Sequence, residues 1–284
     1  MRTAFAALLR PFLAGLALAA AFAHAQATAS TAGPGVHVLS PPFAIPALGR
    51  ERTVRLYLPP SYEAATDRRY PVIYMHDGQN LFDDATSYAG EWGVDETLDR
   101  LARTRGFEAI VVGIDNGGEA RLRELSPWTN PNYGDAQGAQ YLAFVVDTLK
   151  PWIDARYRTR PGRADTAIAG SSMGGLISQA ALLRYPQVFG KAAIFSPSYG
   201  YSDQVWAETR AHPWPAGTRV YFYVGGRESE ESVPGMQRMV ALLRAQPHDA
   251  DDMILSIDAA GEHDERAWRA EFPRAVAWLF ALKQ

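Results

Sequence analysis

Residues 166–185 constrain the fold of this chain more than any other stretch. Ala167-Ile-Ala169 predicts a short buried strand, and residues 175–185 predict a helix. Gly170-Ser-Ser-Met-Gly174 lies between them, and glycines flank a serine in this way where strand and helix backbones nearly touch. We predict that Ser172 lies at the tip of this turn as an exposed nucleophile; the alternative is an ordinary strand-to-helix turn with capping serines.

Strands and helices alternate along the rest of the chain. Apolar runs and period-two alternation predict strands at residues 53–58, 71–76, 109–114, 192–195, 219–224 and 253–257. Apolar residues at helical spacing predict helices at residues 92–103, 139–155, 236–243 and 267–282. This alternation predicts an α/β fold, with a mostly parallel twisted sheet and helices on both faces, in a single domain. Residues 115–138 are polar, glycine-rich and aromatic, and we expect a long loop over the site there.

Residues 1–25 have the composition of a secretory signal peptide. Arg2 and Arg10 supply positive charge, residues 11–22 are an apolar stretch too short to span a bilayer, and Ala23-His-Ala25 is a cleavage signal. We predict cleavage before residue 26 and a periplasmic or secreted protein with no membrane association afterwards; the alternative is an uncleaved anchor. Residues 26–50, rich in Ala, Thr, Gly and Pro, are predicted to be a linker or extended N-terminal arm. Residues 51–284 are then a single catalytic domain.

The composition argues against several classes of function. The formal net charge is −3, and it becomes −5 when the signal peptide takes its two arginines with it. No basic stripe accompanies this mild acidity, so nucleic acid is not an expected partner. The chain has no cysteine, which excludes disulfides, thiolate metal sites and a cysteine nucleophile.

A serine becomes a nucleophile when a base takes its proton and an acid orients that base. In hydrolases built around such a turn, the order along the chain is serine, acid, histidine. His248 and His263 both come late enough in the sequence. His248 precedes the final predicted strand, whereas His263 follows it, at the carboxyl edge where such sheets gather their ligands. His263 is therefore the predicted base.

The acid is predicted just past the strand at residues 219–224, at the same edge of the sheet. Glu228 and Glu230 both qualify. Glu228 comes first after Gly225-Gly226 and is the preferred candidate, with Glu230 as the alternative.

An oxyanion hole needs two backbone N–H groups aimed at the developing negative charge. Met173 follows the nucleophile directly and supplies one. We expect Gln79 to supply the other, because Gly78 lets the backbone turn inward after the strand that ends at His76. His76 and Asp77 resemble metal ligands, but a buried pair that braces this loop is the preferred interpretation, and no metal site is predicted.

Aromatic residues are frequent in the predicted loops and element ends beside the site. They are Tyr88, Trp92, Trp128, Tyr133, Tyr199, Tyr201 and Trp206. Such rings stack on sugars or on phenolic acyl groups. Trp92, Trp128 and Tyr199 are the candidate substrate-binding residues, and packing of the loops onto the sheet is an equal alternative.

Taken in order, these motifs resemble the esterase D-like branch of the α/β-hydrolases, which includes feruloyl, acetyl-xylan and enterochelin esterases and the antigen 85 mycolyltransferases. The resemblance covers residues 51–281. It rests on Tyr57-Leu-Pro-Pro-Ser-Tyr62, Tyr74-Met-His-Asp-Gly-Gln-Asn-Leu-Phe82, Trp92-Gly-Val-Asp95, Gly170-Ser-Ser-Met-Gly-Gly175, Phe195-Ser-Pro197 and Gly261-Glu-His-Asp-Glu-Arg-Ala-Trp268. It implies an α/β-hydrolase fold, Ser172 as nucleophile, His263 as base, an acid after the strand at residues 219–224, and no cofactor. It also implies oxyanion N–H groups at Met173 and Gln79. The family often has Gly-Thr-x-Glu or an aspartate where this chain has Gly225-Gly-Arg-Glu228.

The main hypothesis is a secreted serine esterase that cleaves carboxylic esters through an acyl-enzyme. The expected partner is a small-molecule or carbohydrate ester, of carbohydrate-linked, phenolic or siderophore type. One alternative is an acyltransferase that passes the acyl group to a sugar hydroxyl. Another is a non-catalytic ligand-binding protein on the same scaffold.

Overall fold

A computed structural model describes residues 29–247 and 252–282. The predicted signal peptide and His248 lie outside the described residues. The strands are β1 (Val36–Val38), β2 (Phe43–Ile45), β3 (Arg50–Arg52), β4 (Val54–Tyr57), β5 (Val72–His76), β6 (Ile110–Ile114), β7 (Thr166–Ser171), β8 (Lys191–Phe195), β9 (Arg219–Gly225) and β10 (Met253–Asp258).

Helices connect most of these strands. They are α1 (Val94–Arg105), α2 (Arg121–Glu124), α3 (Gly138–Ala143), a π-helical segment (Phe144–Leu149), α4 (Lys150–Arg156), α5 (Met173–Arg184), α6 (Gln204–Ala211), α7 (Ser232–Arg244) and α8 (Glu265–Leu279). Short 3₁₀ turns lie at Pro46–Leu48, Gly78–Asn80, Gly118–Ala120, Arg163–Asp165 and Tyr199–Tyr201. No helix in the described part of the chain is long and apolar enough to cross a membrane.

The large sheet has the strand order β1-β4-β6-β5-β7-β8-β9-β10. Strands β6, β5, β7, β8, β9 and β10 run parallel, while β4 and β1 are antiparallel to their neighbours. Every residue of β5, β6 and β7 is buried, which explains why these strands read as near-continuous apolar runs. The predicted mostly parallel α/β sheet is confirmed.

Helices cover both faces of this sheet. Residues of α1 and α8 pack against one face, and residues of α3, α5 and α7 against the other. The parallel strands therefore end at one common edge, where residues 172, 228 and 263 follow β7, β9 and β10. In a sheet of this kind the carboxyl edge is the position for a functional site.

The structure differs from the predicted domain boundary at residue 51. Strand β1 pairs antiparallel with β4 in the large sheet, and β2 pairs with β3 in a hairpin that crosses residue 51. The Leu58 N–H donates to the Gly35 carbonyl at 2.9 Å, so the N-terminal segment also satisfies a backbone group just past the end of β4. The described residues before 51 are therefore part of the domain and not a linker. Strands of three residues are too short to carry a clear periodic signal.

The predicted loop at residues 115–138 contains short helical turns and lies partly inside the protein. Glu124 at the end of α2 is 1% exposed and forms ion pairs with Arg50 and Arg52. The loop therefore anchors the β2–β3 hairpin as well as reaching the carboxyl edge of the sheet, where Asn130, Asn132 and Tyr133 line a cleft.

Candidate active site

Ser172 lies at the turn between β7 and α5, with a left-handed φ of 55° and a ψ of −120°. Such a conformation is strained for a residue with a side chain, and strain of this kind is found at functional sites. The turn is closed by backbone contacts: a Cβ on Gly170 would lie 2.8 Å from the Gly174 carbonyl carbon, and one on Gly175 would lie 2.9 Å from the Phe195 oxygen. The glycines are required because strand, helix and the end of β8 meet there.

His263 and Glu228 form a pair at the same edge of the sheet. The His263 Nδ1 and the Glu228 Oε2 are 3.0 Å apart. Because the carboxylate only accepts, Nδ1 carries the proton, which leaves Nε2 as the ring nitrogen free to act as a base. The Glu228 side chain is 3% exposed and that of His263 is 41% exposed. Glu230, the alternative acid, is exposed.

Three donors surround the Glu228 carboxylate. Besides His263, the Ser196 hydroxyl and the Gly225 N–H both donate to Oε1, the latter at 2.7 Å. Burial acts to raise the pKa of Glu228, but these hydrogen bonds outweigh it, and the pKa lies below its usual value. Glu228 is therefore ionised and fixed in orientation.

Ser196 is itself fixed by an unusual backbone and by an aromatic neighbour. Its φ is 42°, and it follows β8 directly. The Trp268 Nε1–H donates to the Ser196 Oγ at 3.0 Å, and the same indole lies edge-on to the His263 ring, with centroids 5.0 Å apart. A continuous series of hydrogen bonds and ring contacts thus links Trp268, Ser196, Glu228 and His263 behind the site. Ser196 and Trp268 both belong to the sequence motifs described above, but the sequence predicts no role for either residue.

Ser172 lines two cavities. One has a volume of about 610 Å³ and the other of about 750 Å³, and Arg121, Ser172 and His263 line both. The Ser172 hydroxyl lies 3.1 Å from the Ser198 Oγ in the first cavity. An ester bound across Ser172 would therefore have room for one substituent in each cavity.

Met173 and Gln79 are both located near the serine. Met173 is the first residue of α5, and the first N–H groups of a helix have no intrahelical partner. Gln79 lies in the turn Gly78–Asn80 and lines the larger cavity. The left-handed residue of this turn is Asp77, with φ 55°. Gly78 allows a close backbone approach, because a Cβ there would lie 2.7 Å from the Gly113 carbonyl carbon in β6.

Polar partners brace the turn at residues 77–80. Arg121 donates two hydrogen bonds to the Asp77 carboxylate, at 2.7 and 2.8 Å, and the Asn116 amide donates a third at 2.8 Å. Burial acts to raise the pKa of Asp77, but the Arg121 guanidinium and Asn116 lower it below its usual value. Asp77 is thus ionised, and its carboxylate is held by these hydrogen bonds.

His76 is a buried neutral residue. Its Nδ1 lies 2.7 Å from the Tyr141 hydroxyl, and burial lowers its pKa to about 4. His76 therefore braces the end of β5. Among the described residues, no three His, Asp or Glu side chains are grouped as a metal ion would require.

The structure corrects two of the three predicted substrate contacts. Trp92 is 3% exposed and packs on Phe195 and Trp268 in the core. Trp128 is 2% exposed, and its indole N–H donates to the Glu208 carboxylate at 2.7 Å. Both rings are too large and apolar to remain at the surface when a neighbouring face can bury them.

Tyr199 does line the smaller cavity, with its hydroxyl bonded to Gln179 at 2.5 Å. The more accessible aromatic surface belongs to Tyr133, which is 50% exposed and stacks on Tyr201 with centroids 5.6 Å apart and planes 11° apart. Tyr88 is 93% exposed beside the larger cavity. Exposure, which sequence does not reveal, separates Tyr133 and Tyr88 from the buried tryptophans.

Parallel strands that lead to a serine at a left-handed strand-to-helix turn define the fold as that of the α/β-hydrolases. The chain belongs to the "Putative esterase" family, whose model matches residues 45–279. The resemblance drawn from the sequence motifs is confirmed.

Known proteins align with most of this chain. YbbA of Bacillus subtilis (strain 168) is 28% identical over 243 residues, which is 81% of this chain and 92% of that protein. An endo-1,4-beta-xylanase/feruloyl esterase of Xylanibacter ruminicola is 23% identical over 82% of this chain, but the match spans only 30% of that longer protein. The crystal structure of the enterobactin esterase FES from Shigella flexneri with enterobactin has a TM-score of 0.71 and 21% identity, over 88% of this chain and 60% of that one. Membership of this family supports a carboxylic ester hydrolase.

Proposed function

We propose that the protein is a serine esterase in which Ser172, His263 and Glu228 act as a catalytic triad. The observation that carries the proposal is the His263–Glu228 pair, located beside a serine that the turn between β7 and α5 keeps in a strained conformation. The serine supplies the nucleophile, the pair supplies an oriented base, and the two adjoining cavities supply space for both parts of an ester.

The reaction proceeds through an acyl-enzyme. The Ser172 Oγ attacks the ester carbonyl carbon while the His263 Nε2 takes the hydroxyl proton. The bond between that carbon and the alcohol oxygen then breaks, and His263 returns the proton to the leaving alcohol. Water attacks the acyl-serine with His263 again as base, which releases the carboxylic acid and restores the serine. Glu228 accepts from Nδ1 throughout and stabilises the imidazolium that forms.

The N–H groups of Met173 and Gln79 are the proposed oxyanion hole. Negative charge develops on the carbonyl oxygen during attack, and fixed backbone donors stabilise it without reorganisation. The N-terminus of α5 adds its partial positive charge at the same place. The Arg121–Asp77 pair and Asn116 support the loop that carries Gln79.

Aromatic or sugar-linked esters are the proposed substrates. The Tyr133–Tyr201 stack and the exposed Tyr88 provide flat apolar surfaces in the two cavities. One relative is named a feruloyl esterase, and one similar structure is named an enterobactin esterase. The predicted signal peptide would export the enzyme to the periplasm or medium.

Hydrolysis of p-nitrophenyl acetate tests the proposal directly. Ser172→Ala should reduce kcat by about 10⁴-fold or more, because only binding and oxyanion stabilisation remain. A fluorophosphonate probe should label the wild-type protein and not the variant. Turnover near the wild-type level in Ser172→Ala, or no labelling of the folded wild-type protein, would reject the assignment. A panel of feruloyl, acetyl-sugar and siderophore esters then ranks the substrates by kcat/KM.

A further inference from the structure

A group of basic side chains lies at the opposite edge of the sheet from Ser172. Lys191 is the first residue of β8 and Arg219 the first of β9, and the two are register partners in adjacent parallel strands. Like charges at directly adjacent positions of a sheet are destabilising. Their occurrence side by side therefore needs a compensating negative charge.

Both residues line a cavity of about 320 Å³ that also contains Arg68 and Arg160. Among the described residues that line it, the carboxylates are Glu108 and Asp165, and each already has a cationic partner. Arg68 is paired with Glu108, and Arg160 lies 3.4 Å from Asp165. The described lining residues therefore carry two more positive charges than negative charges, and the two unbalanced charges are those of Lys191 and Arg219.

Within the described part of the chain, neither of these side chains forms a hydrogen bond or an ion pair with a carboxylate. The Lys191 Nζ donates to the Ala164 carbonyl and lies 5.5 Å from the centre of the Phe280 ring. The Arg219 guanidinium lies 4.4 Å from the centre of the Trp278 ring, and its buried Nε has no hydrogen-bond partner among the described residues.

Arg163 adds a third cation close by. It donates to the Pro186 carbonyl and to the Thr218 hydroxyl, neither of which carries a charge. Burial lowers the pKa of Lys191, and the charges of Arg219 and Arg163 lower it further, although Asp165 opposes them. The protein thus places an ammonium group where its own surroundings disfavour the charge.

The C-terminus of α8 does not balance this charge by itself. The helix ends at Leu279, beside the rings on which Lys191 and Arg219 pack. A helix C-terminus is equivalent to roughly half of one negative charge. More than one positive charge remains after this contribution, and that remainder is accessible from the cavity.

We propose that this basic cavity, lined by Arg68, Arg160, Lys191 and Arg219, binds a compact multivalent oxyanion of the phosphate class. A guanidinium and an ammonium on adjacent strands match the tetrahedral oxygens of such an anion, and Arg in particular donates to phosphate in a fork. The cavity is small enough to exclude a polymer but large enough for inorganic phosphate or a phosphate monoester. The site is separate from the proposed esterase centre.

Thermal unfolding in inorganic phosphate, compared with sodium chloride at equal ionic strength, tests the site. With phosphate about tenfold above its dissociation constant, the melting temperature of the wild-type protein should rise by about 3–5 °C relative to chloride. Glycerol 3-phosphate in parallel distinguishes the source, since a larger rise than with inorganic phosphate assigns the site to phosphate monoesters. Each variant is compared with itself in the two salts, so a change in its basal stability does not obscure the result.

Lys191→Gln and Arg219→Gln should each lose most of the phosphate-dependent rise while keeping esterase activity. Lys191→Arg retains the charge and should keep the rise. Arg210→Gln, an exposed arginine on α6, is the matched control and should also keep it. The proposal is overturned if wild-type protein shows no rise beyond the chloride reference, or if the rise persists in both glutamine variants.

Discussion

At the scale of single residues, hydrogen bonding distinguishes the two candidate acids. Glu228 accepts from His263, Ser196 and Gly225, whereas Glu230 is exposed, two positions further along the chain. An extended residue advances the chain by about 3.3 Å, so a shift of two positions is far larger than the tolerance of a hydrogen bond. One conformation cannot place both carboxylates on the imidazole.

Glu228→Gln should lower kcat by about 10⁴-fold, because an amide nitrogen beside Nδ1 disfavours the required tautomer. Glu230→Gln is the matched control and should change kcat by less than about twofold, since it removes only a solvated charge. Rates of p-nitrophenyl acetate hydrolysis measure both effects. The reverse pattern would assign the acid to Glu230.

Variants of Ser196 and Trp268 test the hydrogen bonds that hold the Glu228 carboxylate. Ser196→Ala removes one donor from the Glu228 carboxylate, and Trp268→Phe removes the N–H that fixes Ser196. A hydrogen bond to a charged group is worth about 1.5–3 kcal/mol, so Ser196→Ala should reduce kcat by roughly 10–100-fold.

The double variant should be little worse than Ser196→Ala alone, because both changes act on one hydrogen-bonded chain. A double-mutant cycle on kcat/KM measures this coupling. Additive effects would mean that Trp268 contributes through its packing on His263 and not through Ser196.

At the scale of elements, the β7–α5 junction depends on the absence of side chains. Gly170 faces the backbone of Gly174, which cannot move without displacing the first turn of α5 and with it Ser172. The close approach is therefore a condition for both the fold and the position of the nucleophile.

Gly170→Ala should destabilise the protein by about 1–3 kcal/mol, the usual cost of forcing extra volume into a packed site. It should also reduce kcat, because the turn that carries Ser172 must shift. Gly162→Ala is the matched control, since a Cβ there meets nothing within 4 Å. Urea unfolding gives the stabilities, and equal values for the two variants would contradict the proposed close approach.

At the scale of the whole molecule, the N-terminal segment is attached through a buried carboxyl group. The Asp95 Oδ2 accepts from the Gly33 N–H at 2.8 Å, and the residue is 2% exposed at the start of α1. Burial and the neighbouring charge of Glu96 raise the pKa of Asp95 to about 7. The folded protein therefore binds a proton at Asp95 between about pH 4 and pH 7 that the unfolded chain releases.

Stability should fall as the pH rises through this window, because the unfolded state binds fewer protons there than the folded state. Asp95→Asn keeps an oxygen acceptor without the charge, so it should remove this loss. We expect Asp95→Asn to stabilise the protein by roughly 1–3 kcal/mol at pH 8 and to have little effect at pH 4.

The exposed Asp67→Asn retains Asp95 and serves as the control, so it should keep the wild-type loss of stability through this window. Urea unfolding at several pH values measures the difference. A constant offset between wild type and Asp95→Asn across the range would show that Asp95 does not titrate with folding.

Local pattern was enough to predict strands β4 to β10, most of the helices between them, and the edge at which residues 172 and 263 lie, although α2 and α6 were not predicted. Apolar periodicity is a property of neighbouring residues, and parallel strands all end at one edge. The turn at Ser172 could likewise be predicted, because the glycines that it requires lie within a few positions of the serine in the sequence. The same signals failed for β1, β2 and β3, where each strand has only three residues.

Contacts between distant residues were decided only by the tertiary structure. Ser196 meets Glu228 across 32 residues and Trp268 across 72, and no periodic pattern records such a meeting. Trp92 and Trp128 were expected at the cleft, yet the packing of α8 and α6 buries them. Sequence alone therefore determined which residues follow each strand, because that depends on local chain geometry. The tertiary structure decided which of these residues contact each other and which remain exposed to a substrate, because both depend on how distant elements pack into one core.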